Sequence, residues 1–146
     1  DAAGTITNTA VVTGGGITPI TVTETIGTES EPILTITKSV SPVPVTENGT
    51  LTYTFLIQNA GSAPADIGTD AVIVDTFNPL LSNLAVSFNG TAWAETTNYT
   101  YDETTGVFTT IAGQITVPAA TYTQNPVTGV WTADPGVSTL VVKGTI

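Results

Sequence analysis

The sequence predicts an all-β protein, and three observations lead to that prediction. Threonine, whose branched side chain favours strands, fills 32 of the 146 positions. It alternates with apolar residues in several short segments, such as Thr21-Val22-Thr23, which is the period of a strand with one polar and one apolar face. Glycine, proline and asparagine interrupt these segments at turn positions, and none carries a sustained helical period.

The alternation also predicts which side chains face the core. The residues expected to be buried are Leu51, Tyr53, Phe55 and Ile57 in the segment 50–58, and Leu34 and Ile36 in the segment 33–40. Lys38 follows on the same face as Leu34 and Ile36. A charged group on an apolar face is costly unless it is paired or neutralised. Lys38 is therefore a candidate functional residue.

The composition excludes several classes of function. The chain has no cysteine, histidine, arginine or methionine, and its formal net charge is −10. Thiol, histidine-based and iron–sulfur chemistry are therefore absent, and nucleic-acid binding would work against the field of the protein. The acidic residues show no regular ligand spacing, so no metal site and no cofactor are expected. No apolar run approaches the length of a membrane span.

The two ends of the chain share a sequence. Gly144-Thr145-Ile146 repeats Gly4-Thr5-Ile6, and the run of glycines at 14–16 separates the first segment from the rest. We expect residues 1–13 to form a detached strand that closes a different domain. Residues 14–32 then form an extended connector, and residues 33–146 form a body that lacks its own last strand. An unfilled edge of this kind invites pairing with another chain.

Five short segments together carry a recognisable pattern. They are 34–40 (LTITKSV), 49–54 (GTLTYT), 72–76 (VIVDT), 125–131 (NPVTGVW) and 3–10 (AGTITNTA). The set resembles the bacterial surface repeats called domain of unknown function 11, and the related isopeptide-forming domains of fimbrial proteins. The resemblance implies an immunoglobulin-like antiparallel β-sandwich with a detached N-terminal strand. It also implies an extracellular location on a microbial cell surface.

The resemblance further implies a crosslink. In isopeptide-forming relatives, a lysine of the first strand attacks an asparagine amide of the last strand, and a buried acid shuttles the proton. The matching residues here are Lys38, Asn8 and Asp75. Burial at such a site favours the neutral amine, which is the attacking form. The other reading is that Lys38 reaches water at a sheet edge, with Asp75 as a surface partner and Asn8 in ordinary hydrogen bonds.

The detached strand leads to the predicted function. If the strand of one subunit completes the sandwich of the next, identical subunits polymerise head to tail into a pilus or fibre. The residues expected to contact the acceptor are Ile6, Asn8, Ala10 and Val12. The alternative is a tandem-repeat stalk or adhesin domain of a larger surface protein. An enzyme with turnover is not expected, since bond formation would be autocatalytic and occur once.

Three Asn-x-Thr triplets match the acceptor pattern for N-glycosylation. They begin at Asn48, Asn89 and Asn98. Such triplets also arise by chance in a threonine-rich chain, and Asn-Gly is a turn signal, so both readings stay open.

Overall fold

The computed structural model describes residues 4–16, 18–28 and 30–146, and nearly all of its regular structure is β. A single turn of 3-10 helix at Ile67–Thr69 is the exception among these residues. The strands are β1 Gly4–Val12, β2 Ile20–Thr28, β3 Leu34–Ser41, β4 Thr50–Asn59, β5 Val74–Thr76, β6 Ser82–Phe88, β7 Thr91–Trp93, β8 Tyr99–Tyr101, β9 Val107–Thr110, β10 Thr121–Gln124, β11 Trp131–Asp134 and β12 Gly136–Thr145.

Two antiparallel sheets form the body. The larger has five strands in the order β3-β4-β12-β6-β7, and the smaller has three in the order β5-β9-β8. Strand β9 lies at the centre of the smaller sheet because β8 and β9 form a hairpin and β5 pairs with the other side of β9. Gly106 closes that hairpin with φ of +76°, a left-handed conformation that favours glycine.

The core lies between these sheets, as in a β-sandwich. In β4 every second residue is buried, from Leu51 to Ile57, as the alternation predicts. The opposite sheet contributes Phe108 of β9, which is fully buried, and Phe77 packs between the layers with its ring 4.7 Å from that of Tyr53. The all-β class and the sandwich architecture are confirmed.

One prediction about the core is wrong. Leu34 and Ile36 of β3 are 37% and 51% exposed rather than buried. Their strand is one of the two edge strands of the larger sheet, and it pairs with β4 over eight residues. The sequence period is therefore that of a strand with an apolar face, but within the described part of the chain the opposite layer covers that face only in part.

Two further hairpins lie outside the two sheets. Strands β10 and β11 form one, and β1 and β2 form the other. Every residue of β1 has an antiparallel partner in β2. Among the described residues no third strand joins either hairpin. Strand β2 falls inside the segment 14–32 expected to be a connector, while the division of the chain into domains stays a prediction.

Candidate functional site

The site is centred on an ion pair between the two sheets. Lys38 of β3 donates from Nζ to Oδ2 of Asp75 in β5. Lys38 lies opposite Phe55 in the larger sheet, and Asp75 lies opposite Phe108 in the smaller one. The lysine side chain is 38% exposed and the aspartate side chain 19%. The sequence-predicted pair is thus brought together at the open side of the sandwich.

Aromatic rings surround the lysine ammonium. Its Nζ lies 4.7 Å from the ring centre of Tyr53, 5.3 Å from that of Phe77 and 5.7 Å from that of Phe55. Ring faces attract a cation at these distances. Lys38 therefore has favourable contacts without full burial, which explains how a basic residue is tolerated on an otherwise apolar face.

The surroundings of the ion pair change the pKa of Tyr53. Burial of the phenol raises its pKa above the ordinary value, and the nearby carboxylate of Asp75 and the phenol of Tyr101 raise it further. At neutral pH the tyrosine is consequently a neutral ring beside the lysine. The site then contains one cation and one anion in contact, next to rings that carry no charge.

A buried asparagine fixes the beginning of β3. Asn59, at the end of β4, is fully buried. Its Oδ1 accepts hydrogen bonds from the backbone N–H groups of Ile33 and Gly61, at 2.9 and 2.8 Å. Its Nδ2 donates to the carbonyl oxygens of Ala63 and Pro118, at 2.7 and 3.0 Å. All its hydrogen-bonding capacity is used, so the entry point of β3 is held firmly.

An apolar groove runs beside the ion pair. It lies between β3 and the segment that leads into β5, and its volume is about 280 Å³. Its walls include Leu34 and Ile36 on one side, Ile73 and Val74 on the other, and Ile57 at the base. Strands β3 and β5 each have a free edge among the described residues, because each has a single neighbour. The groove is therefore flanked by unpaired backbone groups of both sheets.

The remaining residues expected at the site lie elsewhere. Asn8 is exposed in β1, opposite Glu24 of β2, and no hydrogen bond joins it to Lys38 or Asp75. Ala10 and Val12 are exposed on the same strand. The backbone of Ile6 belongs to β1, but its side chain lies outside the described residues. Within one chain, therefore, the structure does not bring the asparagine to the lysine.

The candidate glycosylation sites differ in their surroundings. Asn98 donates from Nδ2 to Gln114 at 2.7 Å, and Asn89 donates from Nδ2 to Ser138 at 3.2 Å. A glycan on either nitrogen would replace one of its two hydrogens and leave the other able to donate. Asn48 lies exposed in a turn with φ of +59°. Glycosylation itself stays a prediction at all three.

Other kinds of site have no support within the described ranges. No three acidic side chains come close enough together to hold a metal ion there. Nor does that part of the chain contain a helix of the length and apolarity needed to span a bilayer.

Sequence reasoning missed two contributors to the site. The ring of Phe77 against the lysine depends on the packing of one sheet on the other, which a strand period does not report. The role of Asn59 had a signal that was not used, because a polar residue continues the buried alternation of β4 from Leu51 to Ile57.

The chain was compared with protein-family models, curated proteins and solved structures, and it matches none of them.

Proposed function

We propose that the protein is a structural subunit of an extracellular microbial filament, in which a strand donated by one copy fills the groove of the next. The observation that carries the proposal is the apolar groove between the free edges of β3 and β5. A strand added there would satisfy backbone groups through its main chain and fill the groove with alternate side chains. Because donor and acceptor surfaces differ, the contact is heterologous and generates an open fibre.

The ion pair supplies a means of locking this contact. Asn8 lies on β1 among alternating residues that suit a groove, with Ala10 and Val12 on the same face. In the proposed fibre its side-chain amide reaches Lys38 of the acceptor. Asp75 takes a proton from the ammonium, and the neutral Nζ attacks the amide carbon of Asn8. Asp75 then returns this proton to the leaving nitrogen and takes up the second proton that Nζ loses on becoming an amide nitrogen. Ammonia departs and carries that second proton away as ammonium, and a new amide joins the two subunits.

The partial exposure of Lys38 supports a link between assembly and chemistry. In the isolated chain the lysine side chain is 38% exposed and still reaches solvent. A strand that covers the groove removes that solvent and favours the neutral amine. Bond formation is then confined to the filled groove, so free subunits do not react prematurely.

Denaturing electrophoresis of purified assemblies tests the proposal. After boiling in detergent, we expect a ladder of multimers from the wild-type chain and none from Lys38→Ala or Asp75→Asn. The matched control is Lys143→Ala, which removes the other lysine from an exposed position on β12 and should leave the ladder intact. Monomer alone from the wild-type assemblies would refute the covalent link.

Strand donation is tested separately from the bond. Deletion of residues 1–13 should abolish fibres in electron micrographs, because the groove then has no donor. Fibres that still form after the deletion would refute donation of β1. A Lys38→Ala chain that assembles into fibres which dissolve in detergent would support donation while confirming the role of the lysine in the lock.

A further inference from the structure

The pairing of β1 within its own chain bears on what is donated. All nine residues of β1 are paired with β2, from Gly4 opposite Thr28 to Val12 opposite Ile20. Donation of β1 alone would first break this ladder, and its backbone groups would have to find new partners in the groove. Donation of both strands together would keep the ladder intact.

The apolar surface of this hairpin is divided between its two strands. On one face Ala10 lies opposite Val22, and Val12 lies opposite Ile20. Val12, Ile20 and Val22 are 57%, 59% and 61% exposed. A hairpin of two strands is marginally stable in water on its own. A partner that covered β1 alone would leave the apolar residues of β2 in solvent.

The two sheets of the body differ in their number of strands. The larger sheet has five strands and the smaller sheet has three. The smaller sheet lacks strands on the side that faces β3. There Ile36 is 51% exposed, whereas its cross-strand partner Ile57 in β4 is 3% exposed. Two strands added beyond β5 would give both sheets the same number and cover the inner face of β3.

We propose that the donor is the whole β1–β2 hairpin of a second copy. The inference rests on the proposed function and specifies its partner surface. The face that carries Ala10 and Val22 packs into the groove, and the opposite face, where the hydroxyls of Thr9 and Thr23 lie 3.4 Å apart, remains in water.

The register gives Glu24 a part in this contact. Glu24 lies directly opposite Asn8 and on the same face of the hairpin. When Asn8 reaches Lys38 of the acceptor, the carboxylate of Glu24 arrives beside the same ammonium. Opposite charges on the two surfaces guide docking and fix its register. Glu24 is accordingly a positioning residue of the donor.

A disulfide lock across the hairpin tests the proposal. The chain has no cysteine of its own, so the variant Thr9→Cys/Thr23→Cys introduces a single pair on the face that stays in water. We expect the oxidised variant to polymerise at the rate and yield of its reduced form. An oxidised variant that remains monomeric, and polymerises only after reduction, would overturn hairpin donation because β1 then has to leave β2.

Glu24→Gln provides a second readout. If the hairpin is donated, this variant should polymerise roughly tenfold more slowly and with a weaker dependence on salt. The matched control is Glu47→Gln, an exposed residue in the turn before β4, which should follow the wild type. Equal rates for Glu24→Gln and the wild type would count against the proposal.

The outcomes separate this inference from the function on which it rests. A wild-type chain that forms no fibres would refute strand donation and the hairpin together. A wild type that assembles while the oxidised lock does not would refute only the hairpin.

Discussion

Strands β3 and β4 are neighbours in one sheet, yet they differ greatly in burial. The inner residues of β4, from Leu51 to Ile57, are 3% to 7% exposed, whereas Leu34 and Ile36 of β3 are 37% and 51% exposed. The two strands are joined by backbone hydrogen bonds along the edge that they share. The difference shows that a ladder forms without a second layer, whereas burial of its side chains requires one. Strand β3 is the strand that a donated hairpin would cover in the proposed fibre.

The largest expected effect on stability tests how Asn59 of β4 holds the beginning of β3 in place. Asn59→Ala would leave the N–H groups of Ile33 and Gly61 and two carbonyl oxygens without their partner. We expect the free energy of unfolding to fall by about 4 kcal/mol, since each buried polar group left unpaired costs on the order of 1 kcal/mol or more. Urea denaturation measures this loss.

The control for that variant is Gln58→Ala, which changes the neighbouring half-buried residue. It should cost less than about 1 kcal/mol. Similar losses for both variants would show that Asn59 does not have the fastening role assigned to it.

A matched pair of isoleucines measures the comparison directly. Ile57 of β4 and Ile36 of β3 are cross-strand partners. Ile57→Ala should lower the free energy of unfolding by about 3 kcal/mol because it opens a cavity in a closed core. Ile36→Ala should cost less than about 1 kcal/mol in the free subunit, since half of its side chain is already in water.

The small effect of Ile36→Ala on the free subunit should become larger when assembly is measured. If the groove is filled in the proposed fibres, Ile36→Ala should weaken polymerisation measured by light scattering, although it barely affects the monomer. Equal losses of monomer stability for the two variants would contradict the view that β3 is covered only in part.

A smaller effect on stability, at alkaline pH, tests the surroundings of Tyr53 in β4, beside the ion pair of Lys38 and Asp75. Burial and the carboxylate of Asp75 raise the pKa of Tyr53. As the pH rises through the unfolded value, the unfolded chain loses its phenolic proton first, so the stability contributed by neutral Tyr53 declines. Tyr53→Phe should lose less stability than the wild type between about pH 9 and 11. If the melting temperatures of the two chains fall equally across that pH range, ionisation of Tyr53 is not the cause of the loss.

The smallest effect concerns a turn away from both strands. Hydrogen bonds from Thr104 and Thr105 lower the pKa of Asp102 from 3.8 to about 2. The charged carboxylate therefore stabilises the β8–β9 turn above the unfolded pKa, and this contribution is lost as the pH falls towards 2.

Asp102→Asn should accordingly melt slightly below the wild type at pH 6, with the difference vanishing in acid. A difference that persists unchanged down to about pH 2 would exclude this cause. The effect should be equal in free subunits and in fibres, in contrast to that of Ile36→Ala.

The comparison of the two strands also explains what could be predicted from the sequence. Alternation gave the inner face of β4 correctly because local spacing determines which residues share a face. It could not decide whether β3 is covered, since that depends on strands far away in the sequence. The segment 114–117 alternates like a strand, and Ile115 and Val117 are buried, but it forms only a single bridge between Val117 and Ala65.

The alternation of residues also could not predict the shortest strands or the contacts between the two sheets. Strand β7 has three residues, too few for a period to register. The contact between Lys38 and Asp75 was suggested by their apolar faces together with the family resemblance. The rings around the lysine follow from how the two sheets pack, which no spacing within one strand encodes.

The position of Lys38 determines where a fibre of this kind would carry tension. In the proposed fibre the neighbouring subunit would be attached at Lys38, and the chain of the same subunit leaves β3 at Leu34 towards its own hairpin. A pulling force would pass only along the stretch of β3 between these residues and bypass the core behind it. The filament could then bear load without unfolding its subunits, and its extensibility would depend on the short segment between β2 and β3 rather than on the strength of the sandwich.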